Sequence, residues 1–380
     1  MAKRKRGGAK GGGSAPVEPD LPAVDALRDL PGFGDLRVDD AQQAAYEAYR
    51  AEVAAATGTG ADQLHLGCIV RLDRGFPLVA TERATFRAEH AAAFARDASV
   101  LPAIGDWVAV RAPSGHDMGV IERVLPRRTS FERWRGRNRG ERQVLAANVD
   151  VIFAVQALGA ERDALRTVRG RVARSLVLIN DCGARPVVVL TKVDRVDAGE
   201  LAATLDEVRR VAGPGVAVIA TSAATSMGLD EVRACIPAGA LGMILGESGA
   251  GKSTLLNALL GHEALETGAV RERDDAGRHT TVARVMVALP GACGVIADAP
   301  GLRSLYLVGH ERGLARTFPE VVEASRGCRF NDCTHTHEPG CAVRAAVEAG
   351  EIDELRLDAF RALATEMRVS AQSLDPDIKL

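Results

Sequence analysis

Lysine is scarce in this chain of 380 residues, where six lysines stand beside 42 arginines. The formal net charge is only −2, so the overall charge gives no indication of a nucleic acid or a membrane as partner. Seven cysteines are too few for a disulfide scaffold in a chain of this length. No apolar run approaches the roughly 18 residues of a membrane span, and the basic N-terminus lacks the apolar stretch of a secretory signal. These absences predict a cytoplasmic protein without a membrane partner.

The length and an ordinary balance of 47% hydrophobic and 26% charged residues predict two to three globular domains. Residues 1–60 hold a Gly-rich basic tail, with five positive charges in its first ten residues, and a stretch at 39–57 of helix-favouring composition. We expect the tail to be disordered. It acts either as a solubilising segment or as an arm that contacts nucleic-acid phosphates. The composition of 39–57 indicates no function.

Four short runs rich in β-forming residues occupy 61–128 and are separated by turn residues. They predict a small barrel, for which the OB-fold is the expected type. Residues 129–145 are expected to form an exposed basic linker, because the stretch 123–142 holds eight arginines and two acids. Phe131 and Trp134 lie among these arginines. The stretch is either a solvated linker or, as we expect beside such a barrel, a contact for RNA phosphates and bases.

Residues 146–305 show a different pattern, in which continuous apolar runs typical of buried strands alternate with helical segments. The alternation predicts an α/β domain with a mostly parallel sheet and flanking helices. Five apolar residues at helical spacing predict one helix between the first two strands: Leu165, Val168, Val172, Leu176 and Ile179. Residues 306–380 are expected to form a separate helical domain.

An apolar strand, a Gly-rich loop and a helix-like segment follow one another around a G-x-x-x-x-G-K-S motif. Backbone N–H groups of such a loop surround phosphate oxygens, and the dipole of the following helix adds to the attraction. We expect Lys252 to reach the β- and γ-phosphates and Ser253 to bind Mg²⁺. A structural glycine turn is the alternative, which the flanking strand and helix disfavour. The predicted phosphate-binding residues are Gly246, Glu247, Ser248, Gly249, Ala250, Gly251, Lys252, Ser253 and Thr254.

A D-x-x-G motif lies at the end of a later strand, from Asp298 to Gly301. Asp298 is predicted to hold the Mg²⁺ through water, and the backbone N–H of Gly301 to approach the γ-phosphate. A polar loop between the two motifs contains Thr280 and Thr281. One of these hydroxyls is expected to complete the Mg²⁺ shell when the γ-phosphate is present. The spacing does not distinguish the two threonines.

A second set of motifs predicts guanine as the base. Thr191, Lys192 and Asp194 resemble the N-K-x-D motif of GTPases, at the end of a strand. Asp194 would accept hydrogen bonds from guanine N1 and the 2-amino group, which adenine lacks, so ATP would leave the carboxylate unpaired. Lys192 would pack the aliphatic part of its side chain over the base. The hydroxyl of Thr191 would supply only some of the hydrogen bonds that the amide of the usual Asn makes at this position. The loop directly after the next strand matches the S-A loop that supports the base. Its three residues are Thr221, Ser222 and Ala223.

The order of these motifs is circularly permuted, because the base-reading motifs precede the phosphate loop instead of following it. The same sheet can form, since a parallel sheet with surface connections tolerates new termini. The permutation places the D-x-x-G motif at the end of the domain, so that the switch after it leads directly into the next domain. The two internal lysines of the chain, Lys192 and Lys252, both fall in nucleotide motifs, where a compact ammonium is expected.

Three of the seven cysteines gather with one histidine in the spacing Cys328-x4-Cys333-x-His335-x5-Cys341. Three thiolates and one imidazole suit tetrahedral Zn²⁺, and four protein ligands leave no open position, so a structural site is predicted. The metal would staple short helices around it. His337 is an alternative ligand, and thiols without a metal are the alternative to the site as a whole.

Together these motifs resemble a known family. The order TKVD, TSA, GESGAGKS, GRHTT and DAPG, followed by CRFNDCTHTHEPGC, is similar to the bacterial ribosome small-subunit-dependent GTPase A (RsgA/YjeQ) family. The stretches RRTSFER and QVLAANVD and the GDW at 105–107 also resemble it. The resemblance covers roughly residues 62–365 and leaves out the tail and the stretch 39–57.

The resemblance implies a multidomain α/β protein with an N-terminal OB-fold barrel, a circularly permuted P-loop GTPase domain and a C-terminal zinc-binding helical domain. It implies a late-stage assembly factor of the 30S ribosomal subunit that binds GTP or GDP and 16S rRNA, and leaves on subunit-stimulated hydrolysis. We expect one structural Zn²⁺, Mg²⁺ with GTP, and a monomer. The alternatives are a GTP-gated rRNA-binding module whose hydrolysis is incidental, and an ATPase, against which Asp194 argues.

His279 is the candidate for the group that orients the attacking water. Many GTPases use a Gln directly after D-x-x-G, and the residue there is Leu302, which has no polar atom for this role. The resemblance implies the same hydrophobic replacement, with a His in the G-R-H-T-T loop. An exposed loop histidine without this role is the alternative. The predicted catalytic residues are His279, Lys252, Thr280 and Thr281.

Overall fold

The computed structural model describes nine stretches of the chain, which are 29–57, 61–72, 76–91, 101–112, 118–135, 141–159, 164–263, 284–298 and 307–374. The basic tail lies outside them. Within these stretches, no helix is both long enough and apolar enough to span a membrane.

Five strands close into a small barrel, as the sequence predicts. They are β1 Leu64–Leu72, β2 Pro77–Thr81, β3 Thr85–His90, β4 Trp107–Arg111 and β5 Gly119–Val124. Their order is β1-β2-β3-β5-β4, and β4 pairs back with β1, so the barrel has no open edge. The interior is apolar, with Ile69, Val79, Val108 and Ile121 all buried.

β3 is the barrel strand that the sequence patterns do not reveal. Its residues, Thr-Phe-Arg-Ala-Glu-His, are mostly polar, and Ala88 is its only buried residue. It pairs with β2 on one side and with β5 on the other. This backbone pairing, rather than an apolar pattern of its own, makes the segment a strand.

A brace formed by residues 29–57 joins the barrel to the large sheet of the molecule. Its helix α1, Asp40–Thr57, coincides with the stretch of helix-favouring composition. Hydrogen bonds attach the brace on both sides, from the Tyr46 hydroxyl to the Leu64 carbonyl and from the Ala288 N–H to the Asp29 carbonyl, each at 2.8 Å. The brace therefore helps to set the position of the barrel.

A two-stranded hairpin occupies most of the stretch predicted to be an exposed linker at 129–145. Its strands are β6 Ser130–Arg135 and β7 Glu141–Ala147. Phe131 is paired with Ala146 across the hairpin and is buried, with 1% of its surface exposed. The prediction of an exposed linker was wrong here, because the many arginines mask the few apolar residues that pair across the strands and enter the core.

Among the described residues, six strands form the large sheet of the α/β domain. They are β8 Val151–Ala157, β9 Arg185–Thr191, β10 Ala217–Ala220, β11 Leu241–Leu245, β12 Arg284–Ala288 and β13 Val295–Asp298. Their spatial order is β10-β9-β8-β11-β13-β12. The pairs are parallel except that β12 is antiparallel to β13, and β12 also pairs with β1, so the sheet continues into the barrel. The predicted, mostly parallel sheet is confirmed.

Helices flank this sheet, as predicted. They are α2 Ala164–Cys182, α3 Ala198–Ala212, α4 Leu229–Ala234 and α5 Lys252–Leu260. The helical spacing between the first two strands is confirmed in α2, where the apolar stripe is buried at Val168, Val172, Leu176 and Ile179. Burial of this stripe against the sheet and the neighbouring helices stabilises the domain.

Four helices form the described part of the C-terminal segment, and the first and the last of them contact the α/β domain. They are α6 Glu311–Thr317, α7 Pro319–Ser325, α8 Ala342–Glu348 and α9 Glu354–Leu374. α6 meets α2 at Gly313, where a Cβ atom would lie 2.2 Å from the Val177 carbonyl oxygen, so only glycine fits. α9 carries the buried Arg356, which donates a hydrogen bond to the Val211 carbonyl of α3 at 2.8 Å. The two domains therefore share a specific interface.

Candidate nucleotide site and metal cluster

The predicted nucleotide-binding motifs meet at one edge of the large sheet. β8, β9, β11 and β13 are parallel, so their carboxyl ends lie side by side. Lys192 directly follows β9, Gly246 directly follows β11, and Asp298 is the last residue of β13. The structure thus brings together the base, phosphate and switch motifs, which are far apart along the chain.

The loop between β11 and α5 has the backbone shape of a phosphate site. Gly249 and Gly251 have φ angles of +79° and +85°, a region that favours glycine. Gly246 passes so close to β8 that a Cβ atom would lie 2.6 Å from the Val155 carbonyl oxygen. α5 begins at Lys252, so the N-terminus of a nine-residue helix directly follows the loop. Helix N-termini after such loops attract anions.

Lys252 is buried, with 6% of its surface exposed, and the loop holds its ammonium group. Nζ donates hydrogen bonds to the carbonyls of Gly246 at 2.8 Å and Glu247 at 2.7 Å. A buried ammonium requires such acceptors, because an unpaired buried charge is strongly destabilising. Glu247 also forms an ion pair with Arg171 of α2 at 2.9 Å. The sequence patterns did not identify Arg171, because it belongs to a helix far from the loop along the chain.

Two side chains tie the base-reading strand end to the phosphate loop. Lys192 has a left-handed backbone, with φ of +60°, and its Nζ donates to the Gly249 carbonyl at 2.7 Å. The Thr191 hydroxyl donates to the Ala250 carbonyl at 2.7 Å. Thr191 therefore helps to fix the phosphate loop, a role that its comparison with the usual Asn did not suggest.

Asp194 is positioned by the loop after β10. The Ser222 hydroxyl donates a hydrogen bond to Asp194 Oδ1 at 2.6 Å, and this bond lowers the pKa of the Asp194 carboxyl below its usual value. Ser222 is buried, and the hydroxyl of its neighbour Thr221 donates to the Leu190 carbonyl at 3.2 Å. Asp194 itself is exposed, so its second oxygen can accept from a ligand. The loop, which continues into Ala223, thus supports an ionised acceptor.

Two of the predicted Mg²⁺-site residues lie on neighbouring elements. Ser253 is in the first turn of α5 and is followed by Thr254. Asp298 is buried, and its register partner is Ile244 on β11, the strand that leads into the phosphate loop. Oxygen donors of this kind suit Mg²⁺. The remaining predicted residues lie outside the described part of the chain: Gly301, His279, Thr280 and Thr281.

The four predicted zinc ligands converge between α7 and α8. Their ligand atoms, from Cys328, Cys333, His335 and Cys341, all lie within 4.8 Å of one another. The sulfurs of Cys328 and Cys341 are 3.9 Å apart, and His335 Nδ1 lies 3.6 Å and 3.5 Å from them. A tetrahedral Zn²⁺ with bonds of about 2.3 Å to sulfur would place two sulfurs about 3.8 Å apart. The cluster therefore has the dimensions that this ion requires.

The cluster is attached to the helices around it. His335 has a left-handed φ of +59°, and its ring packs beside Phe360 of α9, with the ring centres 6.2 Å apart. Cys341 is the N-cap of α8, and its sulfur accepts a hydrogen bond from the Arg344 N–H at 3.5 Å. A metal ion would therefore join the loop to both helices. His337, the alternative ligand, is exposed and is not a member of the cluster.

Known proteins resemble this chain over most of its length. The family model described as RsgA GTPase matches residues 124–308. The protein named Small ribosomal subunit biogenesis GTPase RsgA from Streptomyces avermitilis is 45% identical over 301 residues, which are 79% of this chain and 79% of that protein. The chain belongs to the RsgA GTPase family. A protein of the same name from Opitutus terrae is 43% identical over 288 residues, 73% of this chain and 76% of that protein.

Solved structures share the fold of this family member. The crystal structure of YjeQ from Thermotoga maritima covers 80% of this chain and 99% of its own, with a TM-score of 0.59 and 26% identity. YloQ, described as a circularly permuted GTPase, covers 83% of this chain and 97% of its own, with a TM-score of 0.57 and 23% identity. Membership in the RsgA GTPase family makes the chain a GTP-hydrolysing enzyme. The predicted combination of barrel, permuted GTPase domain and Cys3His cluster is confirmed.

Proposed function

We propose that this GTPase acts in the late assembly of the small (30S) ribosomal subunit. It works in the cytoplasm as a monomer, binds 16S rRNA, and leaves when the subunit stimulates GTP hydrolysis. The observation that supports this proposal is the single sheet edge where the three nucleotide motifs meet. The chain that carries this edge is 45% identical to a protein named for biogenesis of that subunit.

Guanine is read by the Asp194 carboxylate. Ser222 occupies one of its oxygens and keeps the group ionised, so the other oxygen accepts from guanine N1 and the 2-amino group. Adenine offers neither donor, and an acceptor left unpaired costs binding free energy. Because Thr191 and Lys192 both contact the phosphate loop, binding of the base and binding of the phosphates position each other.

The phosphates bind at the loop Gly246–Ser253 and at the N-terminus of α5. Lys252 exchanges its two carbonyl acceptors for phosphate oxygens, and hydrogen bonds to charged acceptors are stronger than those to neutral carbonyls. Ser253, either Thr280 or Thr281, and Asp298 through water would hold a Mg²⁺ ion, which supplies positive charge against the phosphate oxygens.

His279 orients the attacking water. It takes the place of the Gln that many GTPases use, because Leu302 follows the D-x-x-G motif. The 30S subunit stimulates hydrolysis by placing His279 against the attacking water. After the switch, the chain enters the helical domain at the buried Leu307, so the domain that follows the switch is docked on the α/β domain.

The other domains contribute RNA contacts and a structural metal. We assign RNA contacts to the barrel at 61–128 and to the basic stretch 129–145. The helical domain, residues 306–380, contains one structural Zn²⁺ at the Cys3His cluster.

GTP turnover with and without purified 30S subunits tests substrate, activity and partner together. We expect 30S subunits to raise steady-state GTP turnover at least tenfold, and the same concentration of 50S subunits to leave it unchanged. ATP should neither be hydrolysed at a comparable rate nor compete with GTP. Turnover that does not respond to 30S subunits would refute the proposed function.

The substitution His279→Ala separates this function from that of an RNA-binding module with incidental hydrolysis. The variant should bind GTP normally, lose subunit-stimulated turnover and stay on the 30S subunit after GTP addition. His337→Ala, which changes an exposed histidine outside the metal cluster, is the matched control and should be released normally. Normal release of the His279→Ala variant would favour the module.

A further inference from the structure

The ion pair between Arg171 of α2 and Glu247 takes no part in the nucleotide contacts proposed above. Glu247 is the only acidic residue of the phosphate loop Gly246–Ser253, and Lys252 is its only basic one. Arg171 Nη2 lies 2.9 Å from Glu247 Oε2, and the two side chains keep 43% and 51% of their surface exposed. The pair therefore lies on the water-facing side of the loop.

The Glu247 carboxylate is a charge of the wrong sign for a phosphate loop. Like charges repel, so a carboxylate in this loop opposes the binding of an anionic triphosphate. The Glu247 carbonyl accepts hydrogen bonds from Lys252 Nζ at 2.7 Å and from the Ala250 N–H at 3.3 Å. These bonds fix the backbone of Glu247 within the loop, so its negative charge acts on the phosphates unless a cation neutralises it.

Arg171 extends from a helix that is fixed along its length. Its neighbour Val172 is buried in the core. One turn further on, Arg174 Nε donates a hydrogen bond to Glu366 of α9 at 2.9 Å. Near the end of the helix, Asp181 Oδ1 accepts from the Gly313 N–H of α6 at 3.0 Å. The helix thus presents the Arg171 guanidinium to the phosphate loop from a fixed place.

We infer that Arg171 is a positioning residue for GTP binding, which neutralises the Glu247 carboxylate and holds it against α2. When Lys252 exchanges its carbonyl acceptors for phosphate oxygens, the ion pair with Arg171 remains as a side-chain contact of this half of the loop. The inference rests on the proposed function, because it takes the phosphates to lie in this loop. It predicts effects of opposite sign for the two partners, since loss of the Arg171 charge leaves a net negative charge and loss of the Glu247 charge leaves a positive one.

Two substitutions, each of which removes one charge, test these signs. The Kd of a fluorescent GTP analogue is measured with the full chain and Mg²⁺, without ribosomal subunits, over a series of KCl concentrations. Arg171→Gln should raise the Kd about threefold to fivefold at low salt, the size expected for a partly exposed charge, and less at high salt because salt screens the charge. Glu247→Gln should lower the Kd at low salt.

Two further variants test whether charge is the cause. Arg171→Gln/Glu247→Gln has no net charge at this place, so its Kd should return to within about twofold of the unchanged value. Arg171→Lys keeps the charge and should bind more tightly than Arg171→Gln. Thermal melting of each variant verifies that it folds.

Arg169, on the same helix, provides the matched control. It forms an ion pair with Glu207 of α3, also at 2.9 Å, and not with the phosphate loop. Arg169→Gln therefore removes the same charge from the same helix and should leave the Kd unchanged.

Turnover with 30S subunits separates binding from chemistry. Arg171→Gln should raise the KM for GTP by about the same factor as the Kd, with little change in kcat, because the ion pair acts on the bound nucleotide before and during hydrolysis alike. A variant that merely loosened the fold would instead lower its melting midpoint and would not respond to the charge of residue 247.

Three outcomes would overturn the inference. The first is that Arg171→Gln binds the analogue like Arg169→Gln, and the second is that Glu247→Gln raises the Kd as much as Arg171→Gln does. The third is that the double variant binds as weakly as Arg171→Gln alone.

Lys252→Met tests the phosphate site itself and should abolish binding of the analogue. If it does so while one of these three outcomes occurs, only the role of Arg171 is refuted. Normal binding by Lys252→Met would instead refute the placement of the phosphates in the proposed function. Turnover that does not respond to 30S subunits, with all the expected Kd values, refutes only the ribosomal role.

Discussion

At the scale of single residues, Asp194 is the residue that we propose selects the nucleotide this enzyme accepts. The substitution Asp194→Asn should weaken GTP binding at least tenfold, because the charged acceptor for the guanine N–H groups is lost. The same variant should gain affinity for xanthosine triphosphate, whose carbonyl at C2 accepts from the new side-chain amide. Competition of each nucleotide with a fluorescent GTP analogue measures both effects.

A neighbouring aspartate provides the control for this exchange. Asp197 caps α3 by accepting a hydrogen bond from the Glu200 N–H at 2.9 Å, and Asn caps a helix as well as Asp does. Asp197→Asn should therefore bind GTP normally. The assignment of Asp194 to the base fails if both substitutions change nucleotide affinity in the same way.

At the scale of elements, we propose that the loop between α7 and α8 depends on a zinc ion held by the Cys3His cluster. We expect about one equivalent of zinc in the unchanged protein, and Cys328→Ser should lower this to less than half, with a lower thermal unfolding midpoint. Cys235, a cysteine outside the cluster, provides the control substitution Cys235→Ser. Metal analysis of the purified proteins decides the matter, and a Cys328→Ser variant with full zinc content would contradict the site.

The contact between α2 and α6 depends on Asp181. Its Oδ2 lies 2.8 Å from His310 Nδ1, and its Oδ1 accepts from the Gly313 N–H at 3.0 Å. Burial raises the pKa of Asp181, but the hydrogen bond and charge of His310 and the charge of Arg312 lower it more, so the net value is below the usual one. A carboxyl group whose pKa is lowered by folding stabilises the folded state at pH values above its unfolded pKa, which is about 3.9 for Asp. This contribution is lost as the pH falls through the folded pKa.

This linkage predicts how the stability of the interface changes in acid. The difference in urea midpoint between the unchanged protein and Asp181→Asn should be constant between about pH 6 and pH 5 and should shrink below about pH 4. Asp206→Asn, at an exposed position of α3, should show no such pH-dependent difference. A difference for Asp181→Asn that does not shrink at all between about pH 5 and pH 3 would show that the carboxylate does not carry this contribution.

At the scale of the whole molecule, positive charge is concentrated in particular segments although the total is near zero. Deletion of residues 1–13 removes five positive charges and no acid. The deletion should weaken binding of a fluorescein-labelled ten-residue oligouridylate, measured by its anisotropy over a series of KCl concentrations. It should also lower the slope of log K against log salt by up to about 3.5, because each contact with a single-strand phosphate contributes about 0.7. A full-length variant in which the five Lys and Arg residues of this segment are changed to Gln should behave like the deletion. An unchanged slope would identify the tail as a solubilising segment.

The elements that sequence patterns predicted correctly have strong local signals. Continuous apolar runs marked β8, β9 and β11, and the spacing of cysteines and His335 marked the cluster. β3 and the hairpin of β6 and β7 were not predicted, because their pairing partners, rather than their own residues, make them strands. The ion pair of Arg171 with Glu247 and the hydrogen bond of Thr191 to the phosphate loop were not predicted either, because each joins segments that are far apart along the chain.

The amino-acid sequence by itself determined the nucleotide chemistry of this protein, because a phosphate loop and a base-reading motif each need particular residues at short, regular spacings. The two internal lysines that stood out in a lysine-poor chain are now explained, since both bond to carbonyls of the phosphate loop. Only the tertiary structure decided that the stretch 39–57 belongs to a brace that joins the barrel to the large sheet. That arrangement depends on contacts between distant segments, such as Tyr46 with Leu64, which no local pattern encodes.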